Sequence, residues 1–219
     1  MLSNDVTDAQ VVDALLLTPK SRLIAPLRVW RRGSEDFLLL TEPELGDAVR
    51  AQLLRSRFAA KCEIELEEHT SVLVFGEAEG LPGELPGTVE VLDAGLDPTL
   101  DAEEVERARI EAGIPAWGKE LDDSILPAEA GLDETHISFT KGCYPGQEPI
   151  ARLRHRGHVN RRLRVLEADE ARPGDEVELD GRTVGRVTSA VPGVALGYVR
   201  AEVSDAAELS VGGAPARLH

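Results

Sequence analysis

Glu176-Val177-Glu178-Leu179-Asp180-Gly181-Arg182-Thr183-Val184-Gly185-Arg186-Val187-Thr188-Ser189 reads as two short alternating runs on either side of an Asp-Gly pair. Asp-Gly accepts the positive φ angles of a type I′ turn, so the stretch predicts a tight antiparallel hairpin. The same texture extends outward from it. Residues 163–165, 194–200, 207–211 and 214–218 are further short alternating runs, and Pro173-Gly174-Asp175 and Gly212-Gly213 supply turns between runs. Six short strands packed this densely suggest a small barrel or sandwich. A domain boundary is expected near residue 160.

Upstream, strands and helices mix. Residues 7–17 read as a short helix running into a strand, with Val11, Val12, Leu15 and Leu16 apolar. Leu23, Ala25, Leu27 and Val29 share a face at period two, which predicts a strand over 22–30. A turn over 31–36 and an apolar run over 37–40 complete a hairpin. Thr41 is expected to cap a helix that has Pro43 in its first turn and Leu45, Val49, Leu53 and Leu54 as its buried stripe. Residues 61–67 and 70–76 read as another alternating pair, with Cys62 a small buried hydrophobe. Residues 80–87 are a loop and 88–92 a short strand. Asp101-Ala102-Glu103-Glu104 is a capping-box pattern. It opens a helix through Val105, Ala108, Arg109 and Ala112, ended by Gly113 and Pro115. Residues 117–157 are expected to be irregular, and loops this long are often functional.

The 219 residues carry 24 Lys and Arg against 40 Asp and Glu, a formal charge of −16. Such a surface repels phosphate backbones, so general nucleic-acid binding is disfavoured and only a local basic patch could contact RNA. With 42% hydrophobic and 29% charged residues the chain is globular rather than disordered. No apolar run reaches the roughly 18 residues that would span a bilayer. The first residues lack the basic start and apolar core of a secretion signal. Two cysteines, Cys62 and Cys143, exclude a disulfide-rich scaffold and a four-cysteine zinc site. They point to a reduced, cytoplasmic setting.

The densest chemistry lies in Lys141-Gly142-Cys143-Tyr144-Pro145-Gly146-Gln147-Glu148-Pro149. Gly142 and Gly146 flank the cysteine, and Pro145 and Pro149 argue against regular helix, so backbone here can approach a ligand closely. Lys141 and the following Arg152, Arg154, His155 and Arg156 place Cys143 in positive potential, which favours thiolate. The competing reading is a small buried side chain. Residues 141–164 hold seven Lys or Arg and one Glu, a net of +6, which leaves −22 on the rest of the chain. The segment can bind the glutamate tail of a folate, a phosphate, RNA, or the protein's own acidic remainder. His155 and His158 are spaced like helical ligands, but Gly157 lies between them and no metal site is expected. Glu111 falls near an expected helix C-terminus, where a carboxylate opposes the dipole. It is better explained as an acceptor, and a bidentate carboxylate suits the adjacent N–H donors of a pterin. Trp117 would add a stacking plane. An exposed Glu and a core Trp account for these two residues equally well at this point. There is no GxGxxG, P-loop, GxSxG elbow or helical HxxxH pair.

Lys141-Gly-Cys-Tyr-Pro-Gly-Gln-Glu148 resembles the KGCYxGQE signature of the YgfZ family of folate-binding proteins. Arg109-x-Glu-x-Gly-Ile-Pro-x-Trp-Gly118, Leu126-Pro-Ala-Glu-Ala-Gly-Leu132, Leu2-Ser-Asn-Asp-Val6 and Thr18-Pro-Lys-Ser-Arg22 resemble the same family in order and spacing. The resemblance implies an α+β protein with the fold of the glycine-cleavage T-protein. Mixed α/β domains around a folate-sized opening would occupy residues 1–160, shortened at the N-terminus. A small C-terminal antiparallel β-barrel would occupy 161–219. It implies a folate-binding accessory protein in iron–sulfur cluster assembly or repair, with involvement in tRNA modification. Tetrahydrofolate would be the cofactor, iron–sulfur client proteins the partners, and RNA a weak contact. Cys143, with Lys141 beside it, would carry the activity. Glu111, Trp117, Tyr144, Gln147, Arg152 and Arg154 would bind the cofactor. The alternative is a tetrahydrofolate-dependent aminomethyltransferase. The catalytic aspartate of that enzyme falls on Pro26 or Ala25 here, and neither can move a proton. Ser21 also replaces the glycine of the preceding turn. An active aminomethyltransferase is therefore disfavoured.

Overall fold

A computed structural model of the chain describes residues 1–57 and 60–219, and they form two compact units. The first comprises Met1–His69 and Asp122–His158, the second Thr70–Leu121 and Val159–His219. Each unit is built from two separate stretches of chain. Residues 70–121 belong with the barrel, because their helix covers its outer wall.

In the first unit, β1 (Val11–Leu17), β2 (Leu23–Arg31) and β3 (Phe37–Leu40) form an antiparallel sheet with β2 in the middle. Leu23, Ala25, Leu27 and Val29 are all buried, as their period-two spacing requires. The short helix expected to open residues 7–17 does not form, while the strand that follows it does. Asp5 instead accepts hydrogen bonds from the Thr7 amide (3.0 Å) and hydroxyl (2.6 Å), closing a local turn just before β1. Pro26 stands in the middle strand, opposite Leu15 of β1. It costs no ladder bond to β3, because β3 pairs with β2 only from Arg28 to Arg31. The Pro26 carbonyl accepts from the Thr41 hydroxyl at 2.9 Å. Thr41 is thereby diverted from the capping role expected of it. The 3-10 turn Pro43–Leu45 and α1 (Gly46–Ser56) follow without a side-chain cap.

Residues 61–67 are irregular and mostly exposed rather than a strand. Glu67 instead forks with Arg32 at 2.8 and 2.9 Å. Cys62 is exposed, not buried. Its alternating neighbours had no partner strand to bury them. The unit closes with α3 (Gln147–Arg156), inside a stretch whose glycines and prolines had argued against helix. Gly146 sits in the left-handed region at the helix start (φ 83°), and Pro149 falls in the first turn, where a missing N–H is harmless. Ile150 is the residue α3 buries.

The second unit contains the sheet β4 (Ser71–Phe75), β5 (Leu81–Pro82), β6 (Thr88–Leu92) in the order β4-β6-β5, then α2 (Ala102–Glu111). The capping box of α2 is complete: the Asp101 side chain accepts from the Glu104 amide, and Glu104 from the Asp101 amide. Six strands then close into a barrel: β7 (Arg161–Ala168), β8 (Glu176–Leu179), β9 (Arg182–Val191), β10 (Gly193–Arg200), β11 (Leu209–Val211) and β12 (Ala214–Leu218). Their order around it is β10-β7-β12-β11-β8-β9. The β8–β9 hairpin turns at Asp180 (φ 52°) and Gly181 (φ 73°), the two positive angles the Asp-Gly pair predicts. Leu166, Val177, Val187, Ala195, Val199 and Val211 fill the interior. On the outside, Ile110 of α2 packs with Val191, Val194 and Leu196.

Candidate functional site

The cysteine-bearing turn is held in place by the first residues of the chain. Ser3 is fully buried; its hydroxyl donates to the His136 carbonyl (2.6 Å) and accepts the Leu15 amide (2.7 Å). The Ser138 amide donates to the Ser3 carbonyl at 3.0 Å. The Lys141 ammonium then donates to the carbonyls of Leu2 (2.8 Å) and Asn4 (2.7 Å). Burial lowers the pKa of Lys141, against a smaller opposing pull from Asp5. The lysine expected to assist Cys143 thus spends its charge on two backbone carbonyls that strap the N-terminal residues to the turn.

On its other side the turn meets residues 18–21. A Cβ on Gly146 would lie 2.7 Å from the Thr18 carbonyl oxygen and 3.0 Å from Ser21 Cα, so only glycine fits. The Ser21 hydroxyl donates to the Gly146 carbonyl at 2.7 Å, with Ser21 itself at φ 61°. That bond compensates for a left-handed angle that most side chains avoid.

Between these two clamps Cys143 is exposed, on a turn rather than within a regular element. It is not packed in hydrocarbon. Tyr144 next to it is buried instead: it is 6% exposed, and its hydroxyl is buried with no hydrogen-bond partner among the described residues. Burial raises the Tyr144 pKa. Gln147 opens α3, is half-buried, and donates its amide to the Tyr144 carbonyl. Arg152 is exposed and pairs with Glu148 one helical turn away at 2.7 Å. Arg154 is exposed and lies over the Phe139 ring at 3.8 Å. The sequence spacing gave no hint of that Phe139 contact. The basic residues Arg154, His155 and Arg156 form the last turn of α3, where positive charge suits the helix dipole.

Glu111 and Trp117 belong to the second unit. Glu111 ends α2 with its side chain 57% exposed and, among the described residues, only a long ion pair, 3.8 Å, to Arg107. Trp117 is half-buried in the loop that follows. The same segment contains a network that sequence reading missed. Arg109 donates to Glu106, Glu120, Ser189 and the Ile114 carbonyl, and Glu120 is fully buried. The Glu106–Arg109 pair has helical i,i+3 spacing, but Glu120 lies beyond the helix and Ser189 is 80 residues from Arg109, so spacing does not reveal the whole network. Among the described residues no group of three His, Cys, Asp or Glu side chains could hold a metal ion.

Comparison with known proteins places these features. The model of the CAF17 C-terminal beta-barrel domain matches residues 160–219. An uncharacterized protein of Haemophilus influenzae is 29% identical over 191 residues, 79% of this chain and 68% of that one. The tRNA-modifying protein YgfZ of Klebsiella pneumoniae is 31% identical over 157 residues, 66% of this chain and 48% of that one. A mitochondrial iron–sulfur cluster assembly factor IBA57 homolog of Pyricularia oryzae is 41% identical over 69 residues, 31% of this chain and 18% of that one. The chain therefore matches about two thirds of the Haemophilus protein and less than half of the other two. Among solved structures, the glycine cleavage system aminomethyltransferase T of Bartonella henselae superposes with a TM-score of 0.78, at 17% identity. It covers all of this chain and 78% of that one. Fold and barrel together define an aminomethyltransferase-T-like scaffold with a CAF17-type C-terminal domain. With its cysteine signature, the chain is similar to YgfZ-type proteins and shares the fold of the glycine-cleavage T-protein. No helix among the described residues is long and apolar enough to cross a membrane.

Proposed function

We propose that this protein is a folate-binding accessory factor for iron–sulfur cluster assembly or repair, working in the cytoplasm and contributing to tRNA modification through its client enzymes. The observation that carries the reading is the exposure of Cys143 on a turn clamped from two sides. A thiol held out in this way can ligate iron in a client's cluster. One cysteine cannot hold a cluster alone, since clusters take about four such ligands. Its role is therefore transient and shared with the client's own ligands.

Tetrahydrofolate would supply a one-carbon carrier or a sensed ligand, and the residues present fit it. Glu111 is an acceptor-only carboxylate whose one ion pair among the described residues is long, so it is available to the paired N–H donors of a pterin. Trp117 offers a half-exposed aromatic plane. In the first unit, the basic last turn of α3 is by itself a candidate for contacts to carboxylates, with Arg154 lying over Phe139. Tyr144 and Gln147, at the start of α3, are further candidate contacts. The same basic turn would support a weak RNA contact. Aminomethyl transfer is disfavoured, because Ala25 is fully buried and Pro26 has no ionisable group.

Titration of tetrahydrofolate into wild type, Glu111→Ala and Cys143→Ala tests the division of roles. Glu111→Ala should bind more weakly by roughly tenfold or more, the scale of one or two charged hydrogen bonds. Cys143→Ala should bind normally and yet fail to support a client iron–sulfur enzyme. Loss of binding in both variants alike would contradict the scheme, as would glycine-cleavage activity in the purified protein.

A further inference from the structure

We propose that Glu120 is the positioning residue that holds Glu111 and Trp117 in place for a pterin; this rests on the folate reading above. Its side chain is 0% exposed, and both carboxylate oxygens act only as acceptors. Oε2 accepts from Arg109 Nη1 at 2.8 Å and from the Ala116 amide at 3.0 Å. Arg109 lies two residues before Glu111, and Ala116 immediately precedes Trp117. A single oxygen thus ties the end of α2 to the loop beyond it. Oε1 accepts from the Ser189 hydroxyl of β9 at 2.6 Å, and the Glu120 carbonyl accepts from the Tyr198 hydroxyl of β10 at 3.0 Å. The assembly is anchored on two barrel strands.

Arg109 completes the lock. Nε and Nη2 fork onto Glu106 at 3.0 and 2.7 Å. Nη2 also reaches Ser189 Oγ at 2.7 Å, and Nη1 also reaches the Ile114 carbonyl at 2.5 Å. These contacts match the five N–H donors of a guanidinium, so the group has no freedom left to rotate. Lys119 adds a bond to Glu106 at 2.9 Å. A network this saturated fixes the backbone between residues 109 and 121 more tightly than the half-buried side chains there would by packing alone. A simple stability role could be filled by apolar residues, since buried ion pairs add little net stability over a hydrophobic replacement. The network is better accounted for by the need to present an exposed carboxylate and a half-exposed indole in a fixed relation.

The test uses the full chain in a Trp30→Phe background, so that Trp117 is the remaining tryptophan. Glu120→Gln is compared with Ser189→Ala, which removes two network bonds, one to Glu120 and one from Arg109, but leaves Arg109 and Ala116 their shared acceptor. Tetrahydrofolate affinity, Trp117 emission and anisotropy, and thermal stability are read for each. Glu120→Gln should bind roughly tenfold more weakly and give a red-shifted, more mobile Trp117. Ser189→Ala should lose stability while keeping affinity and emission within about twofold. If Glu120→Gln does not fold, Arg109→Lys takes its place, since an ammonium keeps the charge but cannot span all of these acceptors. Wild-type affinity and emission in a folded Glu120→Gln would overturn the assignment. So would parallel losses in both variants that track stability alone. Should wild type not bind tetrahydrofolate, the folate reading fails. The Trp117 signal then still decides whether Glu120 positions the loop.

Discussion

Gly146→Ala is the sharpest probe of the cysteine turn. The new Cβ would stand 2.7 Å from the Thr18 carbonyl oxygen, 3.0 Å from Ser21 Cα and 3.1 Å from the Ser21 amide nitrogen, all backbone atoms that cannot rotate away. The residue would also have to hold φ 83°, which costs a side chain about 1–2 kcal/mol. Relief requires the 18–21 turn to move, breaking the 2.7 Å bond from the Ser21 hydroxyl, worth about 1 kcal/mol. The expected loss is about 2–4 kcal/mol of unfolding free energy, read by urea titration. Gly142→Ala is the matched control: its Cβ would meet nothing within 4 Å. It should stay within about 0.5 kcal/mol of wild type. Thiol labelling of Cys143, in a Cys62→Ser background because both cysteines are exposed, should change rate in Gly146→Ala and not in Gly142→Ala. Equal stability and equal labelling in the two variants would refute the clamp.

Two further outcomes follow from the second unit. Asp101→Ala removes the complete capping box of α2 and should cost about 1 kcal/mol, visible as a lower thermal midpoint. Glu106 has its pKa held down to about 2, from an ordinary 4.5, first by its hydrogen bonds from Arg109 and then by Lys119, against desolvation. A carboxylate depressed in the folded state contributes stability that is complete above about pH 4.5 and is lost as pH falls towards 2. Melting temperature should therefore drop across that window in wild type, and less steeply in Glu106→Gln; identical slopes would argue against the Arg109–Glu106 fork.

The barrel was the most legible part of the chain. Its strands alternate at period two, and the Asp180-Gly181 turn fixes one register unaided, because both of its residues tolerate positive φ. The capping box at Asp101 was equally plain, since the signal and its partner are three residues apart. α3 was hidden because Gly146 and Pro149 read as helix breakers, when one is its left-handed start and the other stands in its permissive first turn. Cys62 misled because alternation alone does not say whether a partner strand exists. Thr41 misled because its hydroxyl had a competing acceptor, the Pro26 carbonyl fifteen residues away. Cys143, Glu111 and Trp117 stood out in the sequence as candidates, each from its own local motif. The supports that hold the segments carrying them did not. Lys141 reaches back to Leu2 and Asn4, and Glu120 binds Ser189 across 69 residues; such long-range pairings leave no local pattern.

The interleaved second unit also sets an order of events during synthesis. Arg109 leaves the ribosome 80 residues ahead of Ser189, and Ile110 leaves 81 ahead of Val191, the first of its barrel neighbours to emerge. Until β9 and β10 arrive, α2 has a charged side chain without its full set of acceptors and an apolar one without a wall. This half of the molecule is therefore slow to nucleate, as high-contact-order topologies are. The nascent segment between is where a chaperone would find something to hold.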